Sequence, residues 1–204
     1  LHMIVYGASG HGKVIIEILE SNGITDITVW DDAVRPPVWQ YAVEQPFSGN
    51  GNTMHDTVIA IGVNATRRKV AAQLHGKVRF IAAIHSNAYL SPRVSVGEGT
   101  VIMAGATVNA DTHIGQHCII NTNASIDHDC VLGNYVHVSP NATLSGDVHI
   151  GEGTHFGAGA VAIQGIRIGK WCTIGAGAVV IRNVPDYATV VGNPAKIIKY
   201  KEPF

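Results

Sequence analysis

From residue 82 to about residue 183 the chain repeats every six residues. A large apolar side chain recurs at Ile84, Leu90, Val96 and onward in steps of six to Val180, seventeen positions that are aliphatic except for Phe156 and the small Ala162. Two residues before each stands a small or β-branched residue, from Ala82 through Cys118 and Ala142 to Ala178. Apolar residues at i−2 and i also satisfy the period-two alternation of any strand. Strands of a flat sheet, however, do not return at one fixed interval through so many units without an insertion. Each hexad reads as a short strand and a bend, with Gly97, Asn109, Gly115, Asn121, Asp127 and Gly133, just after the apolar position, as the residues that turn the corner. Such a chain is a solenoid, in which successive coils bury their apolar columns against each other.

Composition narrows what the solenoid can do. Of the 204 residues 23 are glycine, aromatics make up 6% and charged residues 14%, too apolar for disorder and too glycine-rich for a helical bundle. The net charge of −1 gives no global footprint for nucleic acid or an anionic membrane, so an anionic ligand must be held locally. No apolar run approaches the roughly 20 residues of a membrane span, and no charged segment followed by an apolar one opens the sequence. A cytoplasmic protein is expected. Cys118, Cys130 and Cys172 all fall in the small inward column and read as reduced core thiols; no C-x-x-C spacing suggests a metal, and none is expected.

The first part has a different rhythm. Residues 3–6 read as a buried strand, followed by Gly7-Ala8-Ser9-Gly10-His11-Gly12 and a helix carrying Val14, Ile15, Ile18 and Leu19. Strands are expected at 27–30, ending in Asp31-Asp32, at 57–61, ending in Gly62, and at 77–81, with a helix over 64–74. Residues 35–54, which hold Pro36, Pro37, Pro46, Gly49 and Gly51, are expected to form a long loop. Glycines after a first strand suggest a backbone cradle for phosphate at a helix N-terminus, and Asp31 lies where dinucleotide folds place a ribose-binding acid. The spacing G-x-x-G-x-G departs from the dinucleotide pattern, and the unit is half the size of a full dinucleotide fold, so a nucleotide-linked ligand fits better than NAD. The domains expected are a Rossmann-like βαβ unit over 3–81 and the repeat domain over 82–204.

Hexads of this kind resemble the left-handed parallel β-helix of hexapeptide-repeat acyltransferases, in which three hexads close a triangular coil. Joined to the Gly-Ala-Ser-Gly-His-Gly turn, they are similar to the sialic acid O-acetyltransferase and bacillosamine N-acetyltransferase family, which acts on amino sugars in nucleotide-activated pathways. Further signatures are Asp31-Asp32, Ala60-Ile61-Gly62, Asn121-Thr122, the run Ser125 to Cys130, His137-Val138-Ser139 and the tail Val191 to Lys196. The resemblance implies a homotrimer with active sites at shared interfaces, acetyl-CoA as donor, and His128 as general base supported by Asp129, where the bacillosamine enzymes commonly have Glu. It further implies that Ser9, Gly10, His11, Asp31, Asp32, Gly62 and Asn121 contact a nucleotide-sugar substrate. Donor contacts fall on His137, Gly146, Ala158 and Ala176. The expected reaction is acetylation of the 4-amino group of a UDP-linked 4-amino-4,6-dideoxy sugar. Two alternatives are O-acetylation of sialic acid or a related sugar, and a non-catalytic nucleotide-sugar-binding module.

The chemistry points the same way from the residues themselves. Acyl transfer from a thioester needs one proton removed from the nucleophile, and histidine titrates in the useful range. Between Arg93 and Arg167 there is no lysine or arginine but there are six histidines: His113, His117, His128, His137, His149 and His155. Four directly precede the apolar column and point outward; His137 and His155, eighteen residues apart, should stack. His128 sits at a bend between Asp127 and Asp129, either of which can be its partner. The cations Arg167, Lys170, Arg182, Lys196, Lys199 and Lys201 near the C-terminus are candidates for the donor's phosphates.

Overall fold

The computed structural model describes residues 2–46 and 54–202. Its first unit is a five-stranded parallel sheet in the order β3-β2-β1-β4-β5, built from β1 (Met3–Tyr6), β2 (Ile27–Trp30), β3 (Val43–Glu44), β4 (Asp56–Ile59) and β5 (Arg79–Phe80). Helices α1 (Gly10–Ser21) and α2 (Asn64–Leu74) make the crossovers. All four residues of β1 are buried because a central parallel strand is covered on both faces. Met3 and Val5 pack with Ile15 and Ile18 of α1, while Ile4 and Tyr6 face Val70 and Ala71 of α2. Two glycines of the turn after β1 are demanded by close approach. A Cβ on Gly12 would lie 2.2 Å from the Gly7 carbonyl oxygen, and Gly7, at φ 124°, would meet the Ala60 carbonyl at 2.7 Å.

Three expectations for this unit need correction. The strand placed at 57–61 is β4, which ends at Ile59 because Ala60 to Gly62 leave the sheet to form a lip. The strand at 77–81 is the shorter β5. Residues 35–54 are not simply a loop: β3 extends the sheet beside β2, and Val38 and Tyr41 are buried and bridge to each other. Residues 47–53 of that stretch lie outside the described residues.

The second unit is a parallel β-helix of two-residue strands. Each strand pairs with one eighteen residues away, Thr107 with Ser125, His113 with Val131 and Ile119 with His137, so three hexads make one coil with three faces. Face I runs from Ala83–Ile84 to Thr173–Ile174 and continues into the hairpin Ala188–Val191 and Lys196–Tyr200; face II runs from Tyr89–Leu90 to Val179–Val180, and face III from Ser95–Val96 to Arg167–Ile168. The apolar column and the small column two residues before it fill the interior, where Ile102, Val108, Ile126, Val138, Leu144 and Phe156 are fully buried. The three cysteines are free and buried there, as their column requires. Each takes its place above a threonine of the preceding coil: Thr100, Thr112 and Thr154 accept the N–H of Cys118, Cys130 and Cys172 at 3.0, 3.2 and 2.9 Å. Each threonine also donates to a carbonyl, so no buried hydroxyl of the three is left unpaired.

The corner residue is not the one after the apolar position. Left-handed backbone recurs every six residues from Gly99 to Gly177, three positions after the apolar column, with φ of 60° at Asp111, 52° at His117 and 60° at Asp129. Glycine just after the column answers a different need, since a Cβ on Gly97 would lie 2.6 Å from the Gln116 nitrogen in the next coil.

The outward column of face I changes character along the helix axis. Ala83, Val101 and Ile119 are apolar and buried beneath the α/β unit, sharing a cluster with Val5, Ile15 and Ile18. Above them come His137, His155 and Thr173, which line open space.

Candidate active site

Where the α/β unit stops covering face I, a cleft of about 980 Å³ opens between the two units. One wall is built from the ends of β1, β2 and β4: Tyr6, Gly7, Ser9, Asp31, Asp32, Arg35, Ile61, Gly62 and Asn64. The other is β-helix: His137, Ser139, His155, Ala158, Trp171 and Ala176, with Lys201 from the tail. Parallel strands gather ligand-binding loops at their carboxyl ends, which is why the first wall comes from three strand termini.

Most of the residues expected to bind ligand meet here. Ser9, Asp31, Asp32 and Gly62 share the cleft with His137, Ala158 and Ala176. Asp31 has a bracing role: its carboxylate accepts the N–H of Ala8 at 3.0 Å and of Ala33 at 2.9 Å and lies 3.6 Å from Arg35. Burial works against its ionisation, but these N–H groups and Arg35 outweigh it and hold the carboxyl below its usual range. Asp32 accepts the Tyr6 hydroxyl at 2.6 Å. Gly10 and His11 do not line the cleft, because α1 begins at Gly10 and carries His11 inward, where its Nε2 has no hydrogen-bond partner among the described residues. Burial, then the charge of Arg67, lowers the His11 pKa to about 4.

Asn121 stands behind His137 and not in the cleft. Its Oδ1 accepts the N–H of Thr122 at 2.8 Å, which turns its amide nitrogen toward His137 Nε2 at 3.0 Å and leaves the imidazole proton on Nδ1, facing the Gly62 backbone. His137 and His155 sit one above the other as their spacing required, ring centroids 4.8 Å apart and planes tilted by 47°. Burial first, then His155 and Arg67, lowers the His137 pKa to about 3, so this imidazole stays neutral. His155 Nε2 lies 3.0 Å from the Ser139 hydroxyl.

His128 lies elsewhere. It turns the corner from face II to face III, the vertex opposite face I, in a shallow hollow with Asp127, Ser145, Gly146, Asp147, Gln164 and Gly165. Its Nδ1 is 2.7 Å from Asp129 Oδ2, while Asp127 accepts the backbone N–H of His128 at 2.9 Å and the Asn109 amide at 3.0 Å. Asp129 is therefore the ring's partner, and the left-handed corner backbone aims it. The Asp129 hydrogen bond, followed by the charge of Asp127, raises the His128 pKa above its ordinary value. With Nδ1 held, the exposed Nε2 is the atom free to take a proton. Gly146 belongs to this corner, apart from His137, Ala158 and Ala176.

This architecture has known counterparts. Residues 2–74 match the PglD N-terminal domain family, and residues 111–146 and 147–182 match the bacterial transferase hexapeptide family of six repeats. A histidine-to-asparagine variant of perosamine N-acetyltransferase from Caulobacter crescentus, in complex with CoA and GDP-perosamine, superposes with a TM-score of 0.93 at 36% identity, over 98% of this chain and 97% of that one. The chain belongs to the hexapeptide-repeat sugar N-acetyltransferases. Within that family the acetyltransferase domain of PglB from Neisseria gonorrhoeae FA1090 is 38% identical, with a TM-score of 0.91 over 97% of this chain and 99% of that one. UDP-N-acetylbacillosamine N-acetyltransferase of Bacillus subtilis (strain 168) is 43% identical over 111 residues, half of this chain and about half, 51%, of that relative's length.

Several cleft residues carry no sequence signal: Tyr6, Arg35, Asn64 and Trp171 have unremarkable neighbours and are assembled only by the fold. Of the C-terminal cations, Lys201 reaches the cleft, whereas Arg167 pairs with Asp147 and Lys170 with Asp186. Among the described residues no group of three or more His, Cys, Asp or Glu is placed to hold a metal ion, and no helix is long and apolar enough to cross a membrane.

Proposed function

We propose that this chain transfers the acetyl group of acetyl-CoA to the 4-amino group of a UDP-linked 4-amino-4,6-dideoxy sugar. The observation that carries the reading is the pairing of one cleft, walled by nucleotide-type strand ends and by β-helix histidines, with an exposed His128–Asp129 dyad. The sugar amine attacks the thioester carbonyl; His128 Nε2 takes the proton the amine loses as the C–N bond forms. The tetrahedral oxyanion collapses, the C–S bond breaks, and the departing CoA thiolate takes back the proton from the His128 imidazolium, leaving as a thiol and restoring the neutral base. Asp129 stabilises the imidazolium that forms in between. His137, kept neutral, borders the cleft without adding charge to it.

In a single chain the cleft and the dyad are separated by face II. A homotrimer in which the II/III corner of one subunit meets the I/II corner of the next brings His128 and Gly146 to the neighbour's His137, Ala158 and Ala176. Above Tyr89 the outward residues of face II, Thr107, Ser125, Thr143, Val161 and Val179, are small or β-branched and allow close approach. A soluble thioester donor sets this reaction in the cytoplasm.

A GDP-linked amino sugar is the second reading, favoured by the match to perosamine N-acetyltransferase across nearly the whole chain. Thiol release from acetyl-CoA, measured with UDP- and GDP-linked 4-amino sugars and with free sialic acid, tests both. Turnover with UDP-linked amines supports the first reading and turnover with GDP-linked amines alone moves the assignment to the second. Turnover with sialic acid alone, or with nothing, overturns both.

A further inference from the structure

Arg67 is among the most deeply buried side chains of the described residues, 1% exposed, and no carboxylate among them pairs with it. Burial lowers its pKa to about 10, which still leaves a full charge in the interior at neutral pH. Burying an unpaired guanidinium is costly unless its donors are met, and here they are met entirely by neutral oxygens. Nε donates to the His117 carbonyl at 2.8 Å and Nη2 to the Tyr135 carbonyl at 2.9 Å, while Nη1 donates to the carbonyls of Ile61 and Gly62 at 2.9 and 3.1 Å. A fifth bond, from Nη2 to Asn64 Oδ1 at 2.9 Å, orients Asn64 so that its own amide donates to the Gly153 carbonyl at 3.0 Å.

These acceptors form a pattern. His117, Tyr135 and Gly153 are left-handed corner residues of three successive coils, stacked on the III/I edge. Ile61 and Gly62 are the lip that lines the cleft. We infer that Arg67 is a positioning residue: it ties the cleft lip to the corner carbonyls of successive coils and so sets where a nucleotide sugar held by the α/β unit lies relative to the β-helix. The inference rests on the proposed function for its kinetic consequence, and on geometry alone for the tie itself.

Arg67→Lys keeps the charge but cannot span four carbonyls and an amide oxygen; Arg67→Met removes both. In thiol-release kinetics the Lys variant should raise KM for the nucleotide amino sugar by about tenfold or more, with KM for acetyl-CoA changed by less than about twofold, because the donor is held by the β-helix. A fall in kcat with both KM values unchanged, or no change at all, would overturn the role. Hydrogen exchange of the full-length Lys variant gives an answer independent of substrate: exchange should quicken across residues 61–74 while 101–180 keep wild-type rates. Unchanged exchange in 61–74, or faster exchange everywhere, sinks the tie. If wild-type enzyme turns over no nucleotide amino sugar, the proposed function fails by itself and the exchange result decides the case of Arg67. If the Met variant does not fold, Arg67→Lys and Asn64→Ala still carry both measurements.

Discussion

Gly146 lies directly against the imidazole of His128: a Cβ at that position would stand 2.7 Å from Cε1 and 2.8 Å from Nε2. The glycine is there for the ring, since those imidazole atoms are the nearest that a methyl group would meet. Gly146→Ala should therefore turn His128 away from its working position without harm to the fold, the imidazole being 59% exposed and free to move. The expected outcome is a loss of about 10- to 100-fold in kcat from misplacement, with the melting temperature held. A variant that melts early, or one that keeps full turnover, would contradict this use of the glycine.

His128→Ala should cost about 100- to 10,000-fold in kcat, the usual worth of a general base. The pH profile is more diagnostic. The neutral imidazole is the active form and its pKa is raised by Asp129 and Asp127, so the rate should climb through a limb lying above the ordinary histidine value. Asp129→Asn, a residue equally at home at φ 60°, keeps a partner on the ring but removes the charge. The limb should move to lower pH and the plateau fall about tenfold; a limb that stays put would show that Asp129 does not govern the base.

Stability should have its own pH dependence, opposite in origin. His117, stacked on Tyr135 with centroids 5.3 Å apart and edge-on to Phe80, has its pKa lowered from 6.5 to about 4 by burial and then by Arg67. His11 and His137 are lowered in the same sense. Between the folded and unfolded values the unfolded chain binds more protons, so stability rises with pH through that window. Full stability is present above pH 6.5 and is lost progressively toward pH 4, by about 3 kcal/mol for His117. Melting curves recorded from pH 7 to 4 should show the decline, and His117→Asn, which tolerates the left-handed corner, should flatten it.

A shared active site can be tested by complementation. His128→Ala spoils the dyad, and Gly62→Phe fills the cleft at a position where a Cβ meets nothing within 4 Å. Each alone should be inactive. Co-expressed in equal amounts, subunits of a cyclic trimer should regain about one quarter of wild-type activity, since a site is intact when a His128→Ala subunit lends its cleft to the dyad of a Gly62→Phe subunit. No recovery would mean that each subunit works alone.

The repeat was fully legible in the sequence because period six survives in every coil, and the inward columns, the buried cysteines and the stacked His137 and His155 follow from counting. The corner was misplaced by two residues. Left-handed backbone is taken there by Asp, Asn, His, Tyr and Trp as well as Gly, so composition does not mark it, whereas the glycines after the apolar column reflect the nearness of the next coil. Asp129 could not be separated from Asp127 as the histidine's partner, because only the corner geometry sends one carboxylate to the ring and the other to the backbone. Arg67 passed unnoticed within Thr66-Arg67-Arg68-Lys69, where it looks like its solvated neighbours. Its importance depends on carbonyls 50 and 68 residues away, which no local pattern reports.

The coil also acts as a ruler. Each turn advances the chain by one strand spacing, about 4.8 Å, so the height of any side chain above the docked α/β unit is counted in whole turns. Arg67 and Asn64 fix the zero of that scale at residues 117, 135 and 153. Excising eighteen residues between two equivalent corners above Gly153 would let the coils close without a seam, and the shortened protein would fold. Excising residues 136–153 would also let the coils close, but it would take away His137 and the Gly153 corner that Asn64 holds, leaving a folded chain whose cleft has lost a wall and a mooring.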